Sequence, residues 1–137
     1  MRLSGAATVD QPAVGGTGKS ESCAEWLKGT ASSSGRKLDL ATISIVLPAP
    51  AVSMGDLTLT GYTGPGSYPL DQVSSEGGFS MVVDAKEYGL NASYGTTGSV
   101  TVNADASGTI TLKNLMTQNA APPRPSVDAV ISWTCAA

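Results

Sequence analysis

Apolar and polar residues alternate with a period of two along most of this chain, the pattern of strands with one face buried. Leu38 and Leu40 alternate with Lys37 and Asp39. After a slip at Ala41-Thr42 the pattern resumes at Ile43, Ile45 and Leu47, which predicts a bulged strand that Pro48-Ala49-Pro50 stops. Leu57 and Leu59 between Thr58 and Thr60 predict another strand, Phe79, Met81 and Val83 the next, and Leu90, Ala92 and Tyr94 the one after. Val100 and Val102, then Ile110 and Leu112, flank Asn103-Ala104-Asp105-Ala106-Ser107-Gly108 and predict a hairpin. The last run places Val127, Ala129, Ile131, Trp133 and Cys135 on one face, with Asp128, Ser132 and Thr134 on the other. Pro122, Pro123 and Pro125 cannot pair inside a sheet, so residues 117–126 are expected to cross the surface.

Helical periodicity is nearly absent. The exception is Ser22-Cys23-Ala24-Glu25, which has capping-box spacing, with Gly29 where a helix would stop; a short helix is predicted over residues 23–28. Residues 1–20, rich in Gly and small side chains, read as a flexible lead with one short strand near Ala6 to Val9, and residues 21–137 as a single domain. About seven short strands separated by Gly, Pro, Asn and Ser turns define an all-β class: an antiparallel β-sandwich or a partly open barrel.

Composition sharpens this picture. The chain has 137 residues, 41% hydrophobic and only 14% charged, the size of one domain and the low charge density of exported β-rich proteins. Its formal charge of −3 gathers into no basic stripe, so nucleic acid is not an expected partner. No apolar run is long enough to span a bilayer. An exported chain needs a signal, so Met1 is expected to open either a trimmed chain or a mature form given a start residue. The two cysteines, Cys23 and Cys135, are read as a disulfide: Cys135 shares a strand face with Ile131 and Trp133 and points inward, Cys23 is its only candidate partner, and Trp26 and Leu27 supply apolar cover beside it.

Candidate chemistry narrows the field by failing. Ala13-Val14-Gly15-Gly16-Thr17-Gly18-Lys19-Ser20 fits the permissive phosphate-loop pattern, but no parallel sheet surrounds it, so no nucleotide is expected. Asn103-x-Asp105-x-Ser107-Gly108 resembles half a calcium loop, yet Asn114 stands where the closing Glu belongs, and a hairpin turn wants the same residues. Ser34-Gly35-Arg36-Lys37 has Ser-x-x-Lys spacing without the partner motifs of penicillin-recognising enzymes. The sequence contains no His, which removes the usual general base and most metal sites. Seven aromatic residues in all are few for a glycosidase cleft. No catalytic residue, cofactor or metal is expected. Asn91-Ala92-Ser93 matches the glycosylation triplet, one frequent by chance.

Gly61-Tyr62-Thr63-Gly64-Pro65-Gly66-Ser67-Tyr68-Pro69-Leu70 resembles the Gly-Tyr-x-Gly-Pro-Gly-x-Tyr-x-Leu segment of small exported proteins and lipoproteins of bacteria. More loosely, the layout from Leu57 to Cys135 is similar to the mycobacterial lipoprotein antigen family, which sets an early and a terminal Cys around a β domain; this chain lacks a lipidation signal. The resemblance implies an extracellular, periplasmic or cell-surface location. The segment reads as a rigid corner, with Tyr62 and Tyr68 laid over the turn and their hydroxyls wet; Tyr62, Pro65 and Tyr68 are the candidate binding edge. The expected function is a non-catalytic exported or cell-surface module that binds or scaffolds a protein or cell-surface polymer. The alternatives are a carbohydrate-binding module using Trp and Tyr platforms and a small hydrolase inhibitor presenting the Pro65 or Pro123 loop.

Overall fold

The computed structural model describes residues 1–10, 22–40, 52–54, 57–74, 80–90, 93, 95–118 and 120–135. The all-β, antiparallel class is confirmed. Two sheets share one apolar core, the larger curled into a half barrel. Thirteen strands are described where about seven were expected, because short strands of two to four residues show no readable alternation.

The larger sheet is built around its two longest strands, β12 (Gly108–Thr117) and β13 (Ser126–Trp133), which pair antiparallel from Gly108↔Trp133 to Met116↔Ser126. Beyond β13 lie β1 (Arg2–Gly5) and β2 (Val9–Asp10). The other edge of β12 serves two partners: β11 (Thr97–Val102) along its first half and β10 (Lys86–Gly89) at its end. On β11 lies β7 (Gly66–Pro69); beyond β10 come β9 (Ser80–Val83) and β5 (Val52–Met54). The smaller sheet runs β3 (Thr30–Ser32), β4 (Gly35–Asp39), β6 (Thr58–Thr60), β8 (Val73–Ser74), with a 3-10 turn, Leu70–Gln72, leading into β8.

A bulge lets β12 divide its edge. Asn114 sits at φ +60°, its N–H donates to the Asp128 carboxylate at 2.9 Å, and Lys113 Nζ lies 2.9 Å from the other oxygen of that carboxylate. The extra residue resets the alternation, so Leu115 and Thr117 are buried although the period-two pattern counted from Ile110 and Leu112 puts them out of phase. This is why β12 extends beyond the Leu112 at which the sequence pattern stops.

The predicted helix is present as α1 (Cys23–Trp26). Ser22 Oγ accepts from the Glu25 N–H at 3.3 Å, half of the capping box. Gly29 ends the segment at φ +62°, where a Cβ would meet Lys37 O at 2.7 Å. The first ten residues are not a free lead. Leu3 and Val9 are each 3% exposed and belong to the core, β1 pairs residue for residue with Gly5↔Val127 to Arg2↔Val130, and the Ala6–Val9 strand expected there falls instead at Val9–Asp10. Two consecutive positive-φ residues, Asp84 and Ala85, form the two-residue β9–β10 turn without the Gly or Asn that would have announced it. Ile43, Ile45 and Leu47, Phe79, Ala92 and Tyr94, and the whole Gly-rich 13–20 segment lie outside the described residues.

Candidate functional site

The Tyr62–Tyr68 segment is the passage between the two sheets: it leaves β6 in the smaller and enters β7 in the larger. Gly61 and Gly64 take φ +66° and +127°, conformations in which a side chain would be strained, so the reversal depends on them. Both tyrosines face inward. Tyr62 is 3% and Tyr68 7% exposed, their ring centroids 5.8 Å apart with planes tilted 39°. The expectation that their hydroxyls stay wet is corrected: the Tyr62 hydroxyl is buried with its ring, and the Tyr68 hydroxyl is taken up by the backbone of the turn before it.

Their two hydroxyls differ. Tyr68 OH donates to Gly64 O and accepts from the Thr63 N–H at 3.2 Å, so one phenol closes the turn that precedes it by four residues. Such a hydroxyl bonded to backbone just upstream is the logic of a tyrosine corner. Tyr62 OH has no hydrogen-bond partner, and burial, with the neighbouring Tyr68, pushes its pKa above the usual tyrosine value. What remains at the surface is Thr63, Pro65, Gly66 and Ser67. The structure thus brings Tyr62 and Tyr68 together beneath the loop and leaves Pro65 alone of the three outside it.

A second constellation sits at the other end of the chain's path. Cys23 and Cys135 are disulfide-bonded, with Cα atoms 5.9 Å apart across 112 residues of sequence. Trp26, one helical turn after Cys23, meets Trp133, the last residue of β13 and two residues before Cys135, edge to face at 6.4 Å and 82°. The strand expected to run on to Cys135 ends at Trp133, and Cys135 is half-buried beyond it. Each indole N–H is used: Trp26 Nε1 donates to Asp39 O of β4 at 3.1 Å and Trp133 Nε1 to Ala106 O at 2.9 Å. The disulfide and the indole pair join the smaller sheet's helix to the larger sheet's last strand. The sequence placed both tryptophans beside their cysteines; that they touch each other was legible only as the sum of those two offsets.

The Asn103–Gly108 turn closes the β11–β12 hairpin. Asp105 accepts from the Ser107 hydroxyl and N–H, bonds that hold its carboxyl below the ordinary carboxylate range, while Asn103 Nδ2 donates to Ser107 Oγ at 2.8 Å. Among the described residues no group of three or more metal-ligating side chains converges, and no helix is long and apolar enough to cross a membrane. No protein-family model, curated protein or solved structure matches the chain. The geometry just described therefore carries the reading.

Proposed function

We propose that the chain is a non-catalytic exported or cell-surface module that binds another macromolecule through the loop Thr63-Gly64-Pro65-Gly66. The observation that carries this reading is the Tyr68 hydroxyl, which pins that exposed loop from below at Gly64 O and the Thr63 N–H. A loop already held in one conformation loses little entropy on binding, so even a small contact yields usable affinity. The Cys23–Cys135 bond supports an oxidising compartment, since such bonds persist there and not in the cytosol.

A hydrolase inhibitor is the second reading, favoured by the same rigid Pro65 loop. A carbohydrate-binding module fits less well. The described aromatics are three buried tyrosines and two half-buried, mutually packed tryptophans, which leaves no exposed ring among them for a sugar to stack on. The test immobilises the full chain against cell-envelope extract, a glycan array, and a panel of secreted proteases and glycosidases. Binding that Pro65→Arg weakens at least tenfold with unchanged melting supports the loop; equal binding by the variant overturns it. Recovery from the producing cell outside the cytoplasm, with no alkylatable thiol, supports export. A reduced, cytoplasmic protein contradicts it.

A further inference from the structure

The disulfide divides the molecule covalently in a way the strand order does not. Residues 23–135 form a closed ring that contains every described strand except β1 and β2. Those two make a hairpin of their own, with Leu3 opposite Val9 and Arg2 opposite Asp10, the latter pair joined by an exposed ion pair at 3.4 Å. The hairpin pairs with the larger sheet along one lane, the side of β13 away from β12, where four residues pair and the Ala6 N–H donates to Ser126 O at 2.9 Å, while Leu3 and Val9 reach into the core. The fit is close: a Cβ on Gly5 would stand 2.6 Å from Ser126 O, and Gly5 itself takes φ +107°.

From this arrangement we infer that β1–β2 is an exchangeable strap, and that its lane on β13 is a docking site for the same strap of a second copy of this chain. Leaving the lane breaks nothing inside the covalent ring. It exposes Leu3 and Val9 and opens one edge of β13, and a strap from a neighbouring copy restores every one of these contacts. Twelve residues of sequence, 11–22, separate the strap from the ring, a length whose extended reach is about 40 Å, enough to cross to an adjacent molecule. Because the contacts are identical in both arrangements, the choice between them is set by concentration. A short tether holds its own strap at an effective concentration of order millimolar, so monomers dominate at micromolar protein and exchanged dimers at millimolar.

The experiment uses the full chain and a fluorescent peptide of residues 1–10. Leu3→Asp cannot seat its own strap, since a carboxylate would be buried without a partner. That variant is expected to bind the peptide at least tenfold more tightly than the wild type, whose own strap competes, and a Gly5→Ala peptide is expected to bind at least tenfold more weakly. A Leu3→Asp chain that melts cooperatively with its disulfide intact yet takes up no peptide, or binds the Gly5→Ala peptide equally well, overturns the docking site. Independently of that variant, isotopically labelled and unlabelled wild-type chains are refolded together at about 1 mM with the disulfide kept and analysed by native mass spectrometry. Mixed-mass dimers that revert slowly to monomer after dilution are expected; monomer alone at every concentration overturns exchange between copies.

Discussion

Two turns in this protein are sealed in the same way and at different ranges. At Gly61–Gly66 the Tyr68 hydroxyl donates to Gly64 O, four residues upstream. At Asn103–Gly108 the Trp133 indole donates to Ala106 O, twenty-seven residues away along the chain. Each aromatic gives a turn carbonyl a part-buried donor. The first seal is complete within one stretch of sequence and holds a loop that faces solvent. The second needs β13 to lie beside β12, and it is continuous with the Trp26–Trp133 contact and the disulfide, so its failure propagates into the union of the two sheets. A locally sealed turn suits a recognition loop, because it stays rigid when the rest of the molecule breathes; a remotely sealed one suits a structural clasp.

The comparison breaks most severely at the disulfide. Cys23→Ser with Cys135→Ser releases a loop of 112 residues and is expected to lose about 4–5 kcal/mol, or roughly 12–18 °C in melting temperature, without a change of fold. Calorimetry beside far-ultraviolet circular dichroism measures both. The Tyr68-sealed loop should remain ordered in this variant; its loss would show that the two turns are one cooperative unit.

Gly108→Ala is the next largest. A Cβ there would collide with the Trp133 ring and with Thr101 O, so the variant should lose about 2 kcal/mol and redshift the tryptophan emission as the indole is displaced. An unchanged spectrum would mean that the clasp tolerates displacement and is not the specific contact described.

The tyrosine pair sharpens the local side. Tyr68→Phe leaves Gly64 O without its donor and is expected to destabilise by about 1–2 kcal/mol and to raise hydrogen exchange in the loop. Tyr62→Phe removes a hydroxyl buried without a partner and is expected to be neutral or to stabilise by up to about 1 kcal/mol. Equal losses in the two variants would contradict the assignment of the seal to Tyr68 alone.

The smallest effect concerns the bulge that lets β12 serve two neighbours. The Asn114 N–H first, and Lys113 second, hold the Asp128 carboxyl below its ordinary value. A group whose pKa is depressed on folding contributes stability above its unfolded pKa, and that contribution is lost as pH falls through the folded value. Melting temperature should therefore fall more steeply below about pH 4 in the wild type than in Asp128→Asn. Parallel curves would remove Asp128 from the account.

Much of the fold was legible because its causes are local. Alternation at Leu57–Thr60, Val100–Val102 and Val127–Ile131 fixes which face of a strand avoids water, Ser22 and Gly29 bound a helix through backbone groups a few residues away, and the glycines around Pro65 permit a reversal whatever surrounds it. The Cys23–Cys135 pairing followed because each cysteine has one candidate partner, although Cys135 lies beyond the end of β13 and not on its inner face. Other features depend on what stands opposite. Arg2–Gly5 has too few residues for a period and becomes a strand only because β13 offers an unpaired edge and the core a place for Leu3. The phase of Leu115 and Thr117 depends on a bulge clasped by Asp128, fourteen residues beyond Asn114. Tyr62 and Tyr68, amphipathic by composition, went inward because the crossing between two sheets runs over their shared core, a circumstance no window of sequence contains. The chain by itself determined where backbone turns and which side chains seek an interior; the tertiary structure decided which interior each one found, since burial is a property of pairs of elements and not of either alone.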